Sequence, residues 1–211
     1  MTERRLLVDS DIFILLAASG SLRRAAELLG FSQDQLRRLD ALTHMLRESK
    51  RLQKKYSQEI RDKARAVAES VPPIVERPVD DDRLQLLLSI KGIDEGEALL
   101  YGLLAESASC WLTTGDKTSM RSLVGQDALQ SVRKLIAGRV ICLESILKLL
   151  VQADGVAAVA QAWLPLKDTY KSLSVIFSEV NCKDQNQCLE ALDSILNDLK
   201  TTLGSEFLFL P

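Results

Sequence analysis

Hydrophobic positions along the chain follow helical periods that are interrupted by short, continuous apolar runs. The runs at residues 6–8, 110–113 and 139–143 are bounded by turn or helix signals and predict buried strands. A fourth run at residues 207–210 predicts a terminal strand. Strands separated by helices favour a parallel sheet that is covered on both faces. We therefore expect an α/β fold, a three-layer α/β/α sandwich with four or five parallel strands.

The remaining periodic segments predict helices, with turn signals between them. Those before the second apolar run cover residues 11–18, 23–29, 33–47, 50–70, 80–90 and 94–106. Those after it cover residues 117–124, 127–137 and most of 144–203, with breaks at Gly155, Pro165 and 182–184. Residues 71–79 hold three of the five prolines and predict a loop or an extended piece. We expect residues 1–145 to form an α/β domain with a helical insertion at about 20–70. Residues 146–211 would form a helical extension packed on it.

Composition places the chain among ordinary globular proteins, with 46% hydrophobic and 27% charged residues. These values exclude a disordered chain, a collagen-like chain and a disulfide scaffold. The formal net charge is −2, but residues 1–70 carry +4 and residues 71–211 carry −6. Such asymmetry occurs in proteins with a basic face for a polyanion, but more often it reflects solvated helices.

Cysteine usage and the absence of long apolar segments indicate a reducing compartment. Cys110 and Cys142 lie in apolar runs, where thiols act as small buried side chains. Cys182 and Cys188 have no second pair at zinc-ligand spacing. The chain opens without a signal-peptide apolar region and contains no 18-residue apolar run. We expect a cytoplasmic protein without membrane association.

Acidic residues recur where predicted strands end. Asp9 follows the first strand, Asp116 follows the second, and Glu97 lies at the start of a helix. Each has a structural interpretation as a helix cap or a first-turn acid. Together at one edge of a sheet they would repel one another unless a cation lay among them. Carboxylate oxygens are suitable ligands for Mg²⁺ or Mn²⁺.

Three ordered motifs resemble the PIN-domain family of metal-dependent nucleases. They are LLVDSDIFI, IDEGEALLYGLLAE and CWLTTGDKTSMRSL, and the resemblance spans residues 6–143. It implies a metal-dependent endonuclease that hydrolyses phosphodiester bonds, with RNA favoured over DNA. Asp9, Glu97 and Asp116 would hold Mg²⁺ or Mn²⁺ and carry catalysis, and Thr114 would be a polar active-site residue. The implied partner is RNA or another single-stranded nucleic acid, and an antitoxin-like protein and a homodimer stay open.

The chain departs from the family pattern at two points. Asp11 stands where the family often has Asn, which adds charge and makes Asp11 an additional candidate ligand. The family's further acid, after its second strand, has no clear counterpart in residues 18–70. Glu76, Asp94 and Glu95 are the available substitutes. These departures keep open a non-catalytic PIN-like module that binds nucleic acid or protein.

A haloacid-dehalogenase-type phosphatase is the weaker alternative. In that interpretation Asp9 is the nucleophile and Asp11 the general acid. Lys134 and Glu144 fit the required lysine and acidic pair poorly, and Phe13 stands where that family has Thr or Val.

The segment RRAAELLGFSQDQLRRL matches a helix-turn-helix pattern. Its recognition helix would cover residues 33–39 and present Arg37 and Arg38 to a major groove. Two packed helices near the first strand are the favoured alternative, because such matches are common in helical proteins.

A basic stretch at residues 47–65 holds eight Lys or Arg residues against three acids. Lys50, Arg51, Lys54 and Lys55 are candidate phosphate contacts, and a solvated helix face is the other interpretation. His44 is the only histidine and is expected to be a structural or surface residue.

Overall fold

Four parallel strands form the centre of the fold in the computed structural model, which describes residues 4–209. They are β1 (Arg5–Val8), β2 (Leu36–Arg38), β3 (Cys110–Thr114) and β4 (Val140–Cys142). Their order in the sheet is β2-β1-β3-β4, so β1 and β3 are the inner strands. The predicted strands at residues 6–8, 110–113 and 139–143 are confirmed with small changes at their ends.

Helices make up most of the remaining described chain. In chain order they are α1 (Ser10–Ala18), α2 (Leu22–Leu28), α3 (Leu42–Glu48), α4 (Lys50–Lys55), α5 (Gln58–Ala68), α6 (Asp81–Ser89), α7 (Glu95–Glu106), α8 (Lys117–Val124), α9 (Gln130–Ile136), α10 (Leu143–Asp154), α11 (Val156–Trp163), α12 (Lys171–Ile176) and α13 (Gln185–Leu203). Short 3₁₀ turns lie at Gln33–Gln35, Asp127–Leu129, Leu164–Thr169 and Asn181–Lys183. No helix in this part of the chain is long and apolar enough to cross a membrane.

The predicted helix at residues 33–47 is wrong in its first half, where β2 lies, whereas its second half corresponds to α3. Ser32 and Gln35 form a reciprocal capping box on a single 3₁₀ turn, after which the backbone becomes extended. β2 then pairs in parallel with β1, and Leu36 lies opposite Leu6. The helix-turn-helix interpretation is therefore wrong, because residues 36–38 of its predicted recognition helix form a strand. Arg38 is buried and donates to the Ala68 carbonyl at 2.8 Å, so it is not a groove-reading residue.

The predicted helix at residues 50–70 is two helices, α4 and α5, separated at Tyr56 and Ser57. Tyr56 is 1% exposed and has extended backbone, so burial of its ring stops α4. Ser57 then caps α5 by accepting a hydrogen bond from the Ile60 amide. β2 also lies inside residues 20–70, so this mostly helical stretch contains one strand.

Strand β1 contributes side chains to two separate apolar cores. Leu6 and Val8 point into one apolar core with α1, α2, α5, α10 and α11. Leu7, between them, points into the other core with α7, α8 and α9. This alternation is the period of two of an extended strand. α13 contributes Leu192 to the first core and Leu199 to the second.

Both edges of the sheet are covered by irregular segments. Pro73 forms a single parallel bridge with Arg38 beside β2, and Leu208 does the same with Val140 beside β4. A proline suits an edge because it has no amide hydrogen to offer a further strand. The predicted terminal strand at residues 207–210 is reduced to the Leu208 bridge, and residue 210 lies outside the described residues.

The proline-rich connection at residues 71–79 packs closely on α7. A Cβ atom added at Gly102 would lie 2.6 Å from Cγ of Pro78, so a larger residue there would push the connection away. This contact matters for the site, because Ile74 and Arg77 of the connection form part of the wall described next.

Candidate functional site

A cleft of about 830 Å³ opens at the carboxyl ends of β1 and β3. In open parallel sheets this edge is where ligands bind. Eight carboxylate residues line the cleft: Asp9, Asp11, Asp40, Glu76, Asp94, Glu95, Glu97 and Asp116. Two arginines, Arg51 and Arg77, line it as well. The three acids predicted as metal ligands therefore open into the same space.

Asp9 and Asp116 reach the cleft because neighbouring strands end side by side. Val8 lies opposite Thr113, and the Asp9 amide donates to the Thr113 carbonyl at 3.0 Å. Gly115 permits the tight approach, since a Cβ there would lie 2.7 Å from Cδ1 of Ile12. The strand pairing thus brings together two residues that are far apart in sequence.

Helix capping fixes the orientation of both aspartates. One carboxylate oxygen of Asp9 accepts from the Ser10 amide at 2.7 Å. One oxygen of Asp116 accepts from the amides of Thr118 and Ser119, at 2.7 and 2.9 Å. The interpretation of both residues as helix caps is confirmed, but capping occupies only one oxygen of each carboxylate.

Glu97 and Asp94 form a reciprocal capping box at the start of α7. The Asp94 carboxylate accepts from the Glu97 amide at 2.9 Å, and the Glu97 carboxylate accepts from the Asp94 amide at 2.9 Å. The first-turn interpretation of Glu97 is confirmed. The signal for the capping box is an Asp followed three residues later by Glu before an apolar run, and it was missed in the sequence.

Charge repulsion and burial act on these carboxylates. Burial raises the pKa of Asp9 to about 7, with further contributions from the charges of Asp11, Asp94 and Asp116. Burial also raises the pKa of Glu97 to about 8, helped by the charges of Asp116 and Asp94. Each ionised form is disfavoured by loss of solvent and by like charges. A cation in the cleft would remove that penalty.

The donor set suits Mg²⁺ or Mn²⁺ in its chemistry. The second oxygen of Asp9, Asp94 and Asp116 accepts no hydrogen bond from any residue between 4 and 209. However, within this described range no three carboxylate, imidazole or thiolate groups lie close enough to hold one ion. Binding of a shared ion therefore requires the side chains to rotate toward it.

Asp11 is engaged elsewhere in the cleft. Its carboxylate forms an ion pair with Lys55 at 2.7 Å and accepts a long hydrogen bond from the Tyr56 hydroxyl at 3.4 Å. Lys55, predicted as a phosphate contact, thus neutralises the acid that was predicted as an additional ligand. Glu76, a substitute for the missing family acid, is similarly paired with Arg5 at 2.5 Å.

The other predicted residues divide by position. Arg51 lines the cleft, whereas Lys50 and Lys54 are exposed on the same helix and are not among the lining residues. Thr114 is buried, and its hydroxyl accepts from the Asp116 amide at 3.2 Å, so it supports the turn rather than facing the cleft. His44 is exposed on α3, as expected of a surface residue.

An ion pair between the partly exposed Lys117 and the buried Glu144 was not predicted. Glu144 is fully buried at the start of α10 and accepts from Lys117 and from the Ser172 hydroxyl, both at 2.7 Å. The phosphatase interpretation needs Glu144 and a lysine beside Asp9. Glu144 is instead held by Lys117, and Lys134 is exposed on α9. That alternative gains no support.

Comparison with protein-family models, with curated proteins and with solved structures gave no match to this chain.

Proposed function

We propose that this chain is a metal-dependent endonuclease that hydrolyses phosphodiester bonds, with RNA as its substrate. The observation that carries the proposal is that Asp9, Glu97 and Asp116 open into one cleft at the carboxyl edge of a parallel sheet. The resemblance of their motifs to PIN domains supports the same role. A bound Mg²⁺ or Mn²⁺ would supply Lewis acidity for activating water and for offsetting charge on the phosphate.

The chain's own residues would bind and orient the substrate. Most of the other lining residues have aliphatic side chains, including Leu39, Met45 and Leu84. Arg51 and Arg77 place two positive charges on the cleft wall, where they can contact phosphates that flank the cleaved bond. These features support a single strand as the substrate, since separated nucleotides can lie against the apolar wall.

We propose that residues 1–145, which carry this site, form a PIN-like domain with a three-layer α/β/α arrangement. Residues 146–211 would be its helical extension. The two separate apolar cores to which β1 contributes support this assignment. The unpaired thiols of all four cysteines support a cytoplasmic location.

One observation favours a second candidate, a non-catalytic module that binds nucleic acid or protein. The acids are not arranged around a single ion in the part of the chain that the structure describes. Cleavage of RNA and DNA oligonucleotides in the presence of Mn²⁺, with metal binding measured in parallel, distinguishes the two. The endonuclease proposal fails if the wild-type protein neither cuts any substrate nor binds Mn²⁺.

Metal-free protein is expected to lose stability as the pH rises. The folded pKa of Asp9 is about 7 and that of Glu97 about 8, both above the ordinary values. The folded state therefore binds more protons than the unfolded state, and this contribution is full below about pH 4 and lost as the pH rises through 7 and 8. In EDTA the melting temperature should fall between pH 5 and pH 9, by about 2–4 °C for each kcal/mol lost.

Millimolar Mn²⁺ at pH 8 should reverse this loss, because it binds only the folded form. Asp9→Asn is the control, because it removes one of the two titrating groups and should flatten the fall. Melting curves that respond neither to pH nor to Mn²⁺ would contradict the metal site.

Reversing charge on α4 should weaken RNA binding. In an Asp116→Asn background and in EDTA, where cleavage is suppressed, Arg51→Glu with Lys54→Glu should flatten the dependence of log affinity on log salt concentration. For a single strand, the slope should change by about 0.7 for each phosphate that the protein no longer neutralises. The matched control is Lys63→Glu with Arg65→Glu, the same charge change on α5, which does not line the cleft. If the Asp116→Asn protein and its α4 and α5 variants all gave the same slope, α4 would be a solvated helix face that does not contact phosphates.

A further inference from the structure

Two buried hydroxyl groups join the helices that carry the candidate ligands. Tyr101 lies on α7 one turn after Glu97, and Ser119 lies on α8 in the turn that Asp116 caps. Their hydroxyl oxygens are 3.0 Å apart. Tyr101 is 1% exposed and Ser119 is fully buried, so this hydrogen bond is closed to solvent.

Ser119 also forms two hydrogen bonds with Asp116. Its amide donates to the Asp116 carboxylate at 2.9 Å, and its hydroxyl donates to the Asp116 carbonyl at 3.1 Å. Ser119 is therefore a junction between the Glu97 helix and the Asp116 turn.

Apolar packing alone does not account for this pair. Tyr101 lies in the core that also holds Leu104, Met120 and Leu123, where a phenylalanine ring would fill the same space. A buried hydroxyl costs free energy unless it finds a partner, so two hydroxyls here are useful only as a bonded unit. Because the Ser119 hydroxyl donates to the Asp116 carbonyl, the Tyr101 hydroxyl is the donor in its bond with Ser119.

We infer that Tyr101 and Ser119 are positioning residues that set the separation of Glu97 and Asp116 and thereby the affinity of the cleft for a divalent cation. Tyr101 acts through Ser119, because its hydroxyl forms its hydrogen bond with the serine hydroxyl. Residues that orient metal ligands in this way typically contribute about 10- to 100-fold to metal affinity. The inference rests on the proposed function, since it concerns the same metal site.

The test is a titration of metal-free protein with Mn²⁺, followed by the electron paramagnetic resonance signal of the free ion. Ser119→Ala should raise the Mn²⁺ dissociation constant by about 10- to 100-fold, and Tyr101→Phe should raise it by less. The double variant should match Ser119→Ala, because the effect of Tyr101 passes through the serine. Tyr101→Phe keeps the ring and its packing, so it tests the inference even where Ser119→Ala folds poorly.

Ser145→Ala is the matched control, a buried serine on α10 that does not line the cleft. It should leave Mn²⁺ affinity at the wild-type value whatever its effect on melting temperature. Wild-type affinity in both Tyr101→Phe and Ser119→Ala would overturn the inference while leaving the nuclease proposal intact. Absence of Mn²⁺ binding by the wild-type protein would overturn both.

Discussion

Asp116→Asn and Asp9→Asn should each lower Mn²⁺-dependent RNA cleavage by about 10²-fold or more, a loss comparable to removing one preorganised electrostatic group in an active site. Asparagine preserves the size of the side chain and its ability to cap a helix, but it removes one anionic ligand. Metal-free stability should stay level or rise, because repulsion among the carboxylates is relieved. The measurements are cleavage of mixed RNA and DNA oligonucleotides and melting in EDTA.

The matched control for these variants is Asp184→Asn. Asp184 caps α13 by accepting from the amides two and three residues later, at 2.8 and 3.3 Å, the same pattern that Asp116 uses on α8. Asp184 is exposed and does not line the cleft, so cleavage should be unchanged in this variant. Retention of wild-type cleavage in both Asp9→Asn and Asp116→Asn would show that these carboxylates are not the catalytic centre.

Lys117→Met should destabilise the protein strongly, by about 3–5 kcal/mol, because it leaves the Glu144 carboxylate buried without a counter-charge. Glu144 is fully buried, and its second oxygen has no partner among the described residues. For a chain of this length the melting temperature should fall by roughly 10 °C. Urea unfolding measures the change through the midpoint at constant slope.

The double variant Lys117→Met with Glu144→Gln should recover most of this loss, since the unpaired charge is then absent. Lys63→Met is the matched control. Lys63 pairs with Glu59 on the exposed face of α5, where an ion pair contributes about 0.5 kcal/mol or less. A loss in Lys117→Met no larger than that in Lys63→Met would contradict the role assigned to the pair of Lys117 and Glu144.

Local sequence was sufficient for the features that depend on neighbouring residues. Three strands were predictable, because each is an apolar run between helix or turn signals. A helix-capping role for Asp9 and Asp116 was predictable as the alternative to metal binding, because capping involves amides only one to three residues away. Convergence of Asp9 and Asp116 followed from both residues ending parallel strands. The spacing of their side chains did not follow, and it is that spacing which decides whether one ion can be shared.

The tertiary structure alone decided β2. Its three residues, Leu36–Arg38, carry no alternation that distinguishes them from a helix, and a strand of this length has little preference of its own. Pairing with β1 on one side and the Pro73 bridge on the other supplies the hydrogen bonds that make it extended. A prediction from local periodicity cannot include partners that are about 30 residues away in sequence.

The polar contacts around the cleft were also determined by the tertiary structure. Lys55 meets Asp11 across 44 positions, and Lys117 meets Glu144 across 27. Long charged side chains have no local signal for their partners, so the sequence predicted Lys55 as a phosphate contact and Asp11 as a ligand. Lys55 ends α4, directly before α5, and the packing of α5 against α1 brings it to Asp11. Lys117 follows β3 and Glu144 follows β4, so the pairing of β3 with β4 brings these two charges together. The sequence by itself determined which residues could do chemistry, and the packing of distant elements determined which of them remain free to do it.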